Sequence, residues 1–226
     1  MTYFGVLLRF IAPLLVLFTA LTLYDRSGKR ALPQAFRTWP DYLVLLGHIA
    51  IALIYTTPWD NYLVANRVWW YDPDLVTGIT FGWVPIEEYT FFVVQTWMTG
   101  LWIVSLMRRM PLPADKFEPH PKLRWGTALV AGLVWIVWLV LLLVGWTRGL
   151  YMALLLAWFL PPVILQLGFG ADILWHYRAL TMAGMLPPFL YLCLVDGLAI
   201  ASGTWTINPE NTVGWELFDV LPLEEI

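Results

Sequence analysis

Long apolar stretches, separated by short polar loops, run through almost the whole sequence. They predict membrane-spanning helices at residues 3–24, 42–59, 85–107, 124–146, 149–170 and 180–201, because about 20 apolar residues cross the hydrocarbon core of a bilayer. The first stretch is longer than the apolar part of a signal peptide and lacks a basic segment before it. A seventh span is expected after Leu221, but the sequence stops at Ile226, so we expect that span to be cut short. The pattern predicts an all-α, polytopic membrane helix bundle.

The composition agrees with this class. Of the 226 residues, 60% are hydrophobic and only 13% are charged, whereas a soluble domain carries about 25% charged residues. The net charge of −3 argues against nucleic-acid binding, which needs a clustered basic surface. The single cysteine, Cys193, excludes an intrachain disulfide framework and a multi-cysteine metal site, and we expect no metal.

The charged residues are distributed unevenly between the loops. Ten of the 13 basic residues fall in the loops after spans 1, 3 and 5: Arg26, Lys29, Arg30, Arg37, Arg108, Arg109, Lys116, Lys122, Arg124 and Arg178. These loops share one side of the membrane, which the positive-inside rule makes cytoplasmic, so the N-terminus is expected outside a cell membrane. Eleven of the 16 acidic residues lie on the opposite side.

An internal repeat relates two acidic segments. Four residues recur at an offset of 136, namely Asp60, Trp69, Pro73 and Gly78 as Asp196, Trp205, Pro209 and Gly214. One inserted residue then aligns Pro85-Ile86-Glu87-Glu88 with Pro222-Leu223-Glu224-Glu225. An offset of four spans gives both copies the same orientation. We predict two parallel three-span repeats, residues 1–110 and 149–226, joined by a connector loop and span at 111–148.

The duplicated acidic residues are the candidate chemistry. A Pro-x-Glu-Glu box is also a good helix start, since proline and acidic residues are favoured in a first turn, but a helix start alone does not require two copies with matched aspartates. Acidic residues in or near a membrane are costly and mark functional sites. We predict one site at the outer rim that holds up to six carboxylates: Asp60, Asp196, Glu87, Glu88, Glu224 and Glu225. Crowded carboxylates cannot all ionise, which suggests acid–base work on a lipophilic substrate.

Aromatic residues crowd the same rim, where most are expected to form an interfacial belt. Aromatic faces also stabilise a cation in an apolar environment. Trp69 and Trp205 are the best candidates for that role because they repeat, and Phe91 and Phe92 follow the first acidic box.

The tandem boxes resemble those of the heterodimer-type lycopene cyclase domains, which occur in bacteria, archaea and fungal bifunctional enzymes. The resemblance rests on residues 85–92 (Pro-Ile-Glu-Glu-Tyr-Thr-Phe-Phe) and residues 221–225 (Leu-Pro-Leu-Glu-Glu), and it covers nearly the whole chain. The sequence departs from the family in lacking the span after Glu225, so we expect an incomplete second half-site.

The resemblance implies cyclisation of the ψ-end groups of lycopene to β-rings, giving γ- and β-carotene without net redox change. It makes the box glutamates the leading acid–base candidates and does not say which one donates the proton. It implies no cofactor, and in particular no flavin. The implied partners are an acyclic carotenoid such as lycopene, the lipid bilayer and other enzymes of carotenoid synthesis.

Three alternatives remain open at this point. A carotenoid hydratase would form the same cation and trap it with water. A non-catalytic carotenoid-binding subunit would use the acidic boxes only as helix starts. A proton-coupled transporter also uses carboxylates in the membrane, although parallel repeats are less distinctive for transporters than inverted ones.

Overall fold

The computed structural model describes residues 1–28 and 30–226; Lys29, which the sequence pattern places on the cytoplasmic side, lies outside the described residues. Within the described residues, six helices are long and apolar enough to cross a membrane. They are α1 (Tyr3–Ser27), α2 (Asp41–Ala65), α3 (Ile86–Arg109), α4 (Pro121–Val144), α5 (Leu150–His176) and α6 (Arg178–Ala201). The predicted all-α membrane bundle is confirmed, and the chain is a multi-pass membrane protein.

Six short strands lie in the segments that follow α2 and α6. They are β1 (Trp69–Tyr71), β2 (Thr80–Phe81), β3 (Val84–Pro85), β4 (Trp205–Ile207), β5 (Glu216–Leu217) and β6 (Leu221–Pro222). β1 pairs with β4, while β2–β3 and β5–β6 form two antiparallel hairpins. Three-residue 3₁₀ turns occur at Gln34–Phe36, Pro209–Asn211 and Leu223–Glu225.

The helices extend beyond the predicted spans at several ends. α2 continues to Ala65 rather than ending near residue 59, so Asp60 is a helical residue and not a loop residue. α3 begins at Ile86, with Pro85 as its N-cap in extended backbone. α4 ends at Val144 and is capped by Gly145, whose φ of 77° is the left-handed conformation that favours glycine after a helix.

The outward faces of the helices are apolar. α4, all of whose residues are described, buries only Ala128 within the chain, and its apolar Leu143 and Val144 are 77% and 78% exposed. In water such faces would be unstable, but in a bilayer lipid tails cover them at no hydrophobic cost.

By packing, the chain divides into two compact units. Unit 1 combines residues 1–110 with residues 183–206. In it α3 packs against α1 and α2, and α1 contains a π-helical turn at Leu7–Ile11. At the end of α3 that carries its basic residues, Arg109 donates two hydrogen bonds to the buried carboxylate of Asp25, at 2.7 and 2.9 Å. Arg108 bonds to Asp41 there at 2.7 Å.

Unit 2 contains residues 111–182 and 207–226. α4 packs along α5, and Arg124 at the start of α4 forms a 2.7 Å ion pair with the buried Asp172 of α5. The 3₁₀ turn Leu223–Glu225 contacts α5. Since the two units are defined by packing, the division of the chain into two three-span repeats remains a prediction.

The two acidic segments have the same local fold. Asp72 accepts a hydrogen bond from the backbone of Asp74, and Asn208, 136 residues later, accepts one from Glu210. Gly78 and Gly214 both adopt positive φ, 77° and 78°. The first hairpin turns through two residues between β2 and β3 and the second through three between β5 and β6. The inserted residue that aligns the acidic boxes therefore lies in the second hairpin turn.

Candidate active site

Glu88, in the first turn of α3, lies at the centre of a buried polar cluster in unit 1. Its Oε2 accepts a 2.6 Å hydrogen bond from the hydroxyl of Tyr3 and a 2.9 Å bond from that of Tyr71. Tyr3 is the first residue of α1 and Tyr71 the last of β1. Because hydrogen bonds from neutral donors favour the charged form of an acceptor, the two phenols stabilise Glu88 as a carboxylate.

The two repeated aspartates lie beside this cluster. Asp60 is buried and Asp196 half-buried, and both lie within electrostatic reach of the Tyr3 hydroxyl. Asp196 accepts a 2.9 Å hydrogen bond from the indole of Trp205, whose ring lies 5.0 Å from that of Tyr3. Asp60, Asp196, Glu87 and Glu88 thus all belong to unit 1.

Glu87 differs from Glu88 in its hydrogen bonds. Its Oε1 accepts a 2.6 Å bond from the backbone N–H of Thr77, just before Gly78. Its Oε2 is buried and has no hydrogen-bond partner among the described residues, and only 1% of the residue is exposed. A buried oxygen that no described residue binds is available to a bound substrate, whereas Oε2 of Glu88 is already bound by two phenols.

Tyr71 remains a hydrogen-bond donor over a wide pH range. Burial raises the pKa of its phenol well above the ordinary value of about 10, and the negative charges of Glu88 and Asp60 raise it further. Each of these causes disfavours the phenolate. The Tyr71 hydroxyl therefore remains able to donate to Glu88 above the pH at which an exposed tyrosine ionises.

The second acidic box, in unit 2, repeats much of this arrangement. Oε1 of Glu224 accepts a 2.7 Å bond from the backbone N–H of Val213, just before Gly214, and its Oε2 is also buried without a partner among the described residues. Glu225 accepts a 2.5 Å bond from the hydroxyl of Tyr151, near the start of α5. Each box thus has one glutamate bound by a loop amide and one bound by a tyrosine from the start of a long helix.

Aromatic rings line the cluster of unit 1. The ring of Tyr71 lies 5.4 Å from that of Trp69 and 6.0 Å from that of Tyr3, and Tyr3 in turn contacts Trp205. The four rings form a continuous aromatic surface beside Glu88, and aromatic faces stabilise a cation without supplying a nucleophile that would trap it.

The comparisons with known proteins agree with this chemistry. The chain is 41% identical over 177 residues to the lycopene beta-cyclase of Halobacterium salinarum, covering 78% of this chain and 72% of that protein. The chain belongs to the lycopene beta-cyclase family. It is also similar to bifunctional lycopene cyclase/phytoene synthases, 35% identical in Podospora anserina and 30% in Phycomyces blakesleeanus. The matches cover 78% and 100% of this chain, but only 31% and 36% of those two proteins. No family model and no solved structure matches the chain.

The predicted site residues are divided between the two units. Four of the six predicted carboxylates belong to unit 1, while Glu224 and Glu225 belong to unit 2, so a single site of six carboxylates remains a prediction. Trp69 and Trp205 lie beside the acidic cluster. Phe92 packs edge-on against Tyr89 at 6.0 Å, and Phe91 packs against Phe92 at 6.4 Å. The role of both phenylalanines in binding substrate also remains a prediction.

The predicted structural prolines begin turns or helices. Pro85 and Pro222 are the N-caps of α3 and of the turn Leu223–Glu225. Pro209 opens the 3₁₀ turn that follows Asn208, and Pro73 lies in the loop after β1. These prolines orient the acidic residues that follow them by fixing φ.

Three tyrosines that bind the glutamates escaped the sequence reasoning: Tyr3, Tyr71 and Tyr151. The sequence contains a signal for two of them. Phe10 and Pro13 of the first span recur 149 residues later as Phe159 and Pro162, and Tyr3 and Tyr151 are separated by a similar 148 residues. Tyr71 has no such signal, since the residue 136 positions later is Ile207.

Proposed function

We propose that this protein is a lycopene β-cyclase, which converts the ψ-end groups of lycopene to β-rings by acid–base catalysis without net redox change. The observation that carries the proposal is the pairing of Glu87 and Glu88 in one helix turn. Glu88 is hydrogen-bonded as a carboxylate by two phenols, whereas Glu87 keeps one buried oxygen without a partner among the described residues. An acid and a base thus lie side by side in a protein of this family.

Glu87 is the proposed acid. Its O–H protonates C2 of the terminal C1=C2 double bond, which leaves the positive charge on C1. The electrons of the C5=C6 double bond then form the C1–C6 bond and move the charge to C5. The aromatic surface of Trp69, Tyr71, Tyr3 and Trp205 stabilises these cations.

Glu88 is the proposed base. It removes the proton from C6, and the electrons of that C–H bond re-form the C5=C6 double bond of the β-ring. One proton is gained and one lost, so atoms and electrons balance with no cofactor. Asp60 and Asp196 are proposed to return the proton to Glu87 for the next cycle, because both lie within electrostatic reach of Tyr3, which bonds to Glu88.

The placement of this site implies a topology. We propose that the acidic clusters lie at the outer face of the cell membrane and that the basic ends of α1 and α3, with Arg26, Arg108 and Arg109, lie at the cytoplasmic face. The substrate enters from the bilayer, since a carotenoid hydrocarbon dissolves there. Association with the other enzymes of carotenoid synthesis is part of the same proposal.

Expression of the full-length protein in a bacterium that accumulates lycopene tests the function. We expect chromatography to show γ- and β-carotene in place of lycopene. Unchanged lycopene would refute the cyclase proposal, and hydroxylated acyclic products would identify a hydratase instead.

The proposed acid is tested in the same cells with Glu87→Gln. This exchange keeps the shape and the acceptor for the Thr77 amide but removes the acidic proton, so we expect cyclisation to fall by about 10²-fold or more. Glu118→Gln, in an exposed loop, is the matched control and should retain full activity. Wild-type rates in Glu87→Gln at equal membrane levels would remove Glu87 from the mechanism.

A further inference from the structure

A second feature of unit 1 is an apolar cavity between α2 and α3. Its volume is about 440 Å³, within the range of small-molecule sites. Its walls are formed mainly by apolar side chains of the two helices, including Val44, Leu45, Ile103 and Val104, and by Phe36 and Trp39 of the preceding loop. None of these residues belongs to the acidic cluster.

Four of the polar residues in the cavity wall, Asp41, His48, Thr96 and Thr99, form hydrogen bonds or ion pairs within the protein. The hydroxyl of Thr99 donates to the carbonyl of Gln95, and Nδ1 of His48 lies 2.7 Å from the carbonyl of Val44. Asp41 is paired with Arg26 and Arg108. A ligand with polar groups would gain few hydrogen bonds here, so the cavity favours a hydrocarbon.

The cavity lies along the same helices as the acidic cluster. Thr96 and Met107 bound it on α3, eight and 19 residues from Glu88, which a rise of 1.5 Å per residue converts to about 12 and 29 Å. His48 on α2 lies about 18 Å from Asp60 by the same measure. An extended chain with one end at Glu88 would therefore reach the cavity without leaving the hydrocarbon layer, which is about 30 Å thick.

We propose that this cavity holds the far end of the acyclic carotenoid whose near end reacts at Glu87 and Glu88. This inference rests on the proposed function and adds a binding subsite that makes the enzyme selective for long polyenes. The chemical class of its occupant is an unsubstituted hydrocarbon chain. The other possible occupant, the acyl chain of a membrane lipid, is an outcome of the test.

Thr99→Phe is the variant that tests the subsite. Thr99 faces this cavity and also a smaller one of about 190 Å³ between α1, α3 and α6, so a phenyl ring there reduces the space for a polyene. Thr96→Phe fills the first cavity from another position, and it replaces Thr99→Phe in the test if that variant does not fold. The matched control is Thr19→Phe, because Thr19 is exposed on α1 and also bonds to the carbonyl four residues before it.

The assay compares two substrates in membranes with equal amounts of enzyme. One is lycopene, and the other is a lycopene fragment that keeps one ψ end but is too short to reach the cavity. We expect Thr99→Phe to lower kcat/KM for lycopene by about tenfold or more, because the added ring overpacks a site that lycopene fills. The kcat/KM for the fragment should not change. Thr19→Phe should change neither.

Two results would overturn the proposal. Equal losses for both substrates in Thr99→Phe and Thr96→Phe, with wild-type thermal stability, would show that the cavity does not bind the far end of the polyene. No loss for lycopene would show that a lipid or nothing occupies the cavity. A wild-type protein that cyclises neither substrate would instead refute the proposed function, so the two failures are distinguishable.

Discussion

The proposed role of Glu88 as the catalytic base depends on its hydrogen bond from Tyr3. The Tyr3→Phe variant tests that dependence. The exchange removes one hydroxyl group and keeps the ring that packs on Trp205 and Tyr71. A hydrogen bond to a charged group is worth about 1.5–3 kcal/mol. If Glu88 must be a carboxylate when it removes the C6 proton, the loss lowers the rate by about 10- to 150-fold.

The measurement is the initial rate of γ- and β-carotene formation from lycopene in isolated membranes, normalised to the amount of protein. Tyr71→Phe removes the second donor, whose 2.9 Å bond is longer than the 2.6 Å bond of Tyr3, and we expect a smaller loss. The double variant should lose more than either single variant, since Glu88 then keeps neither phenol.

Tyr62→Phe is the control, because Tyr62 is half exposed on α2 and lies outside the cluster of phenols that bind Glu88. It should leave both rate and thermal stability unchanged. Wild-type rates in Tyr3→Phe, Tyr71→Phe and the double variant would show that the phenols do not support the base. A fall in rate that is matched by a fall in melting temperature would assign Tyr3 a structural role instead.

Two further predictions concern stability. Asp25→Asn leaves Arg109 without its buried carboxylate and should cost about 3–5 kcal/mol of unfolding free energy, measured by thermal unfolding in detergent, whereas Asp115→Asn in an exposed loop should cost nothing measurable. The raised pKa of Tyr71 stabilises the fold below the unfolded pKa of about 10, and this contribution is lost as the pH rises through the folded value. Tyr71→Phe should therefore lose less stability than the wild type between neutral and strongly alkaline pH, and identical pH dependences would contradict this.

The helices were predictable because membrane spans depend on a local property, the length of an apolar run. α2 shows the limit of that signal: it continues past residue 59 through Asp60 and Asn61 to Ala65. A polar residue reads as the end of a span in sequence. In the fold, polar groups at this end of α2 find partners: the side chain of Asn61 accepts a hydrogen bond from the backbone of Trp83 and donates one to Tyr89.

The acidic residues were also predictable, because the repeat marks them twice. Their partners were not, since Tyr3 reaches Glu88 across 85 residues of sequence. Because Tyr3 lies at the end of a predicted span, its position in the sequence is typical of an interfacial aromatic residue. The pairing of Asp25 with Arg109, 84 residues away, was missed for the same reason: only tertiary packing determines which charges meet.

The two acidic boxes share some of their contacts and differ in one. Both retain a glutamate bound by a loop amide and a glutamate bound by a tyrosine from the start of a long helix. At the position that matches Tyr71, the second copy has Ile207, which has no hydroxyl group to donate. The proposed cyclisation needs one group that gives a proton and one that takes a proton, and Glu87 and Glu88 have different hydrogen-bond partners within a single helix turn. Under that proposal unit 1 contains both functions among its own residues, and Tyr71 is the residue whose hydrogen bond has no counterpart at Ile207 of the second copy.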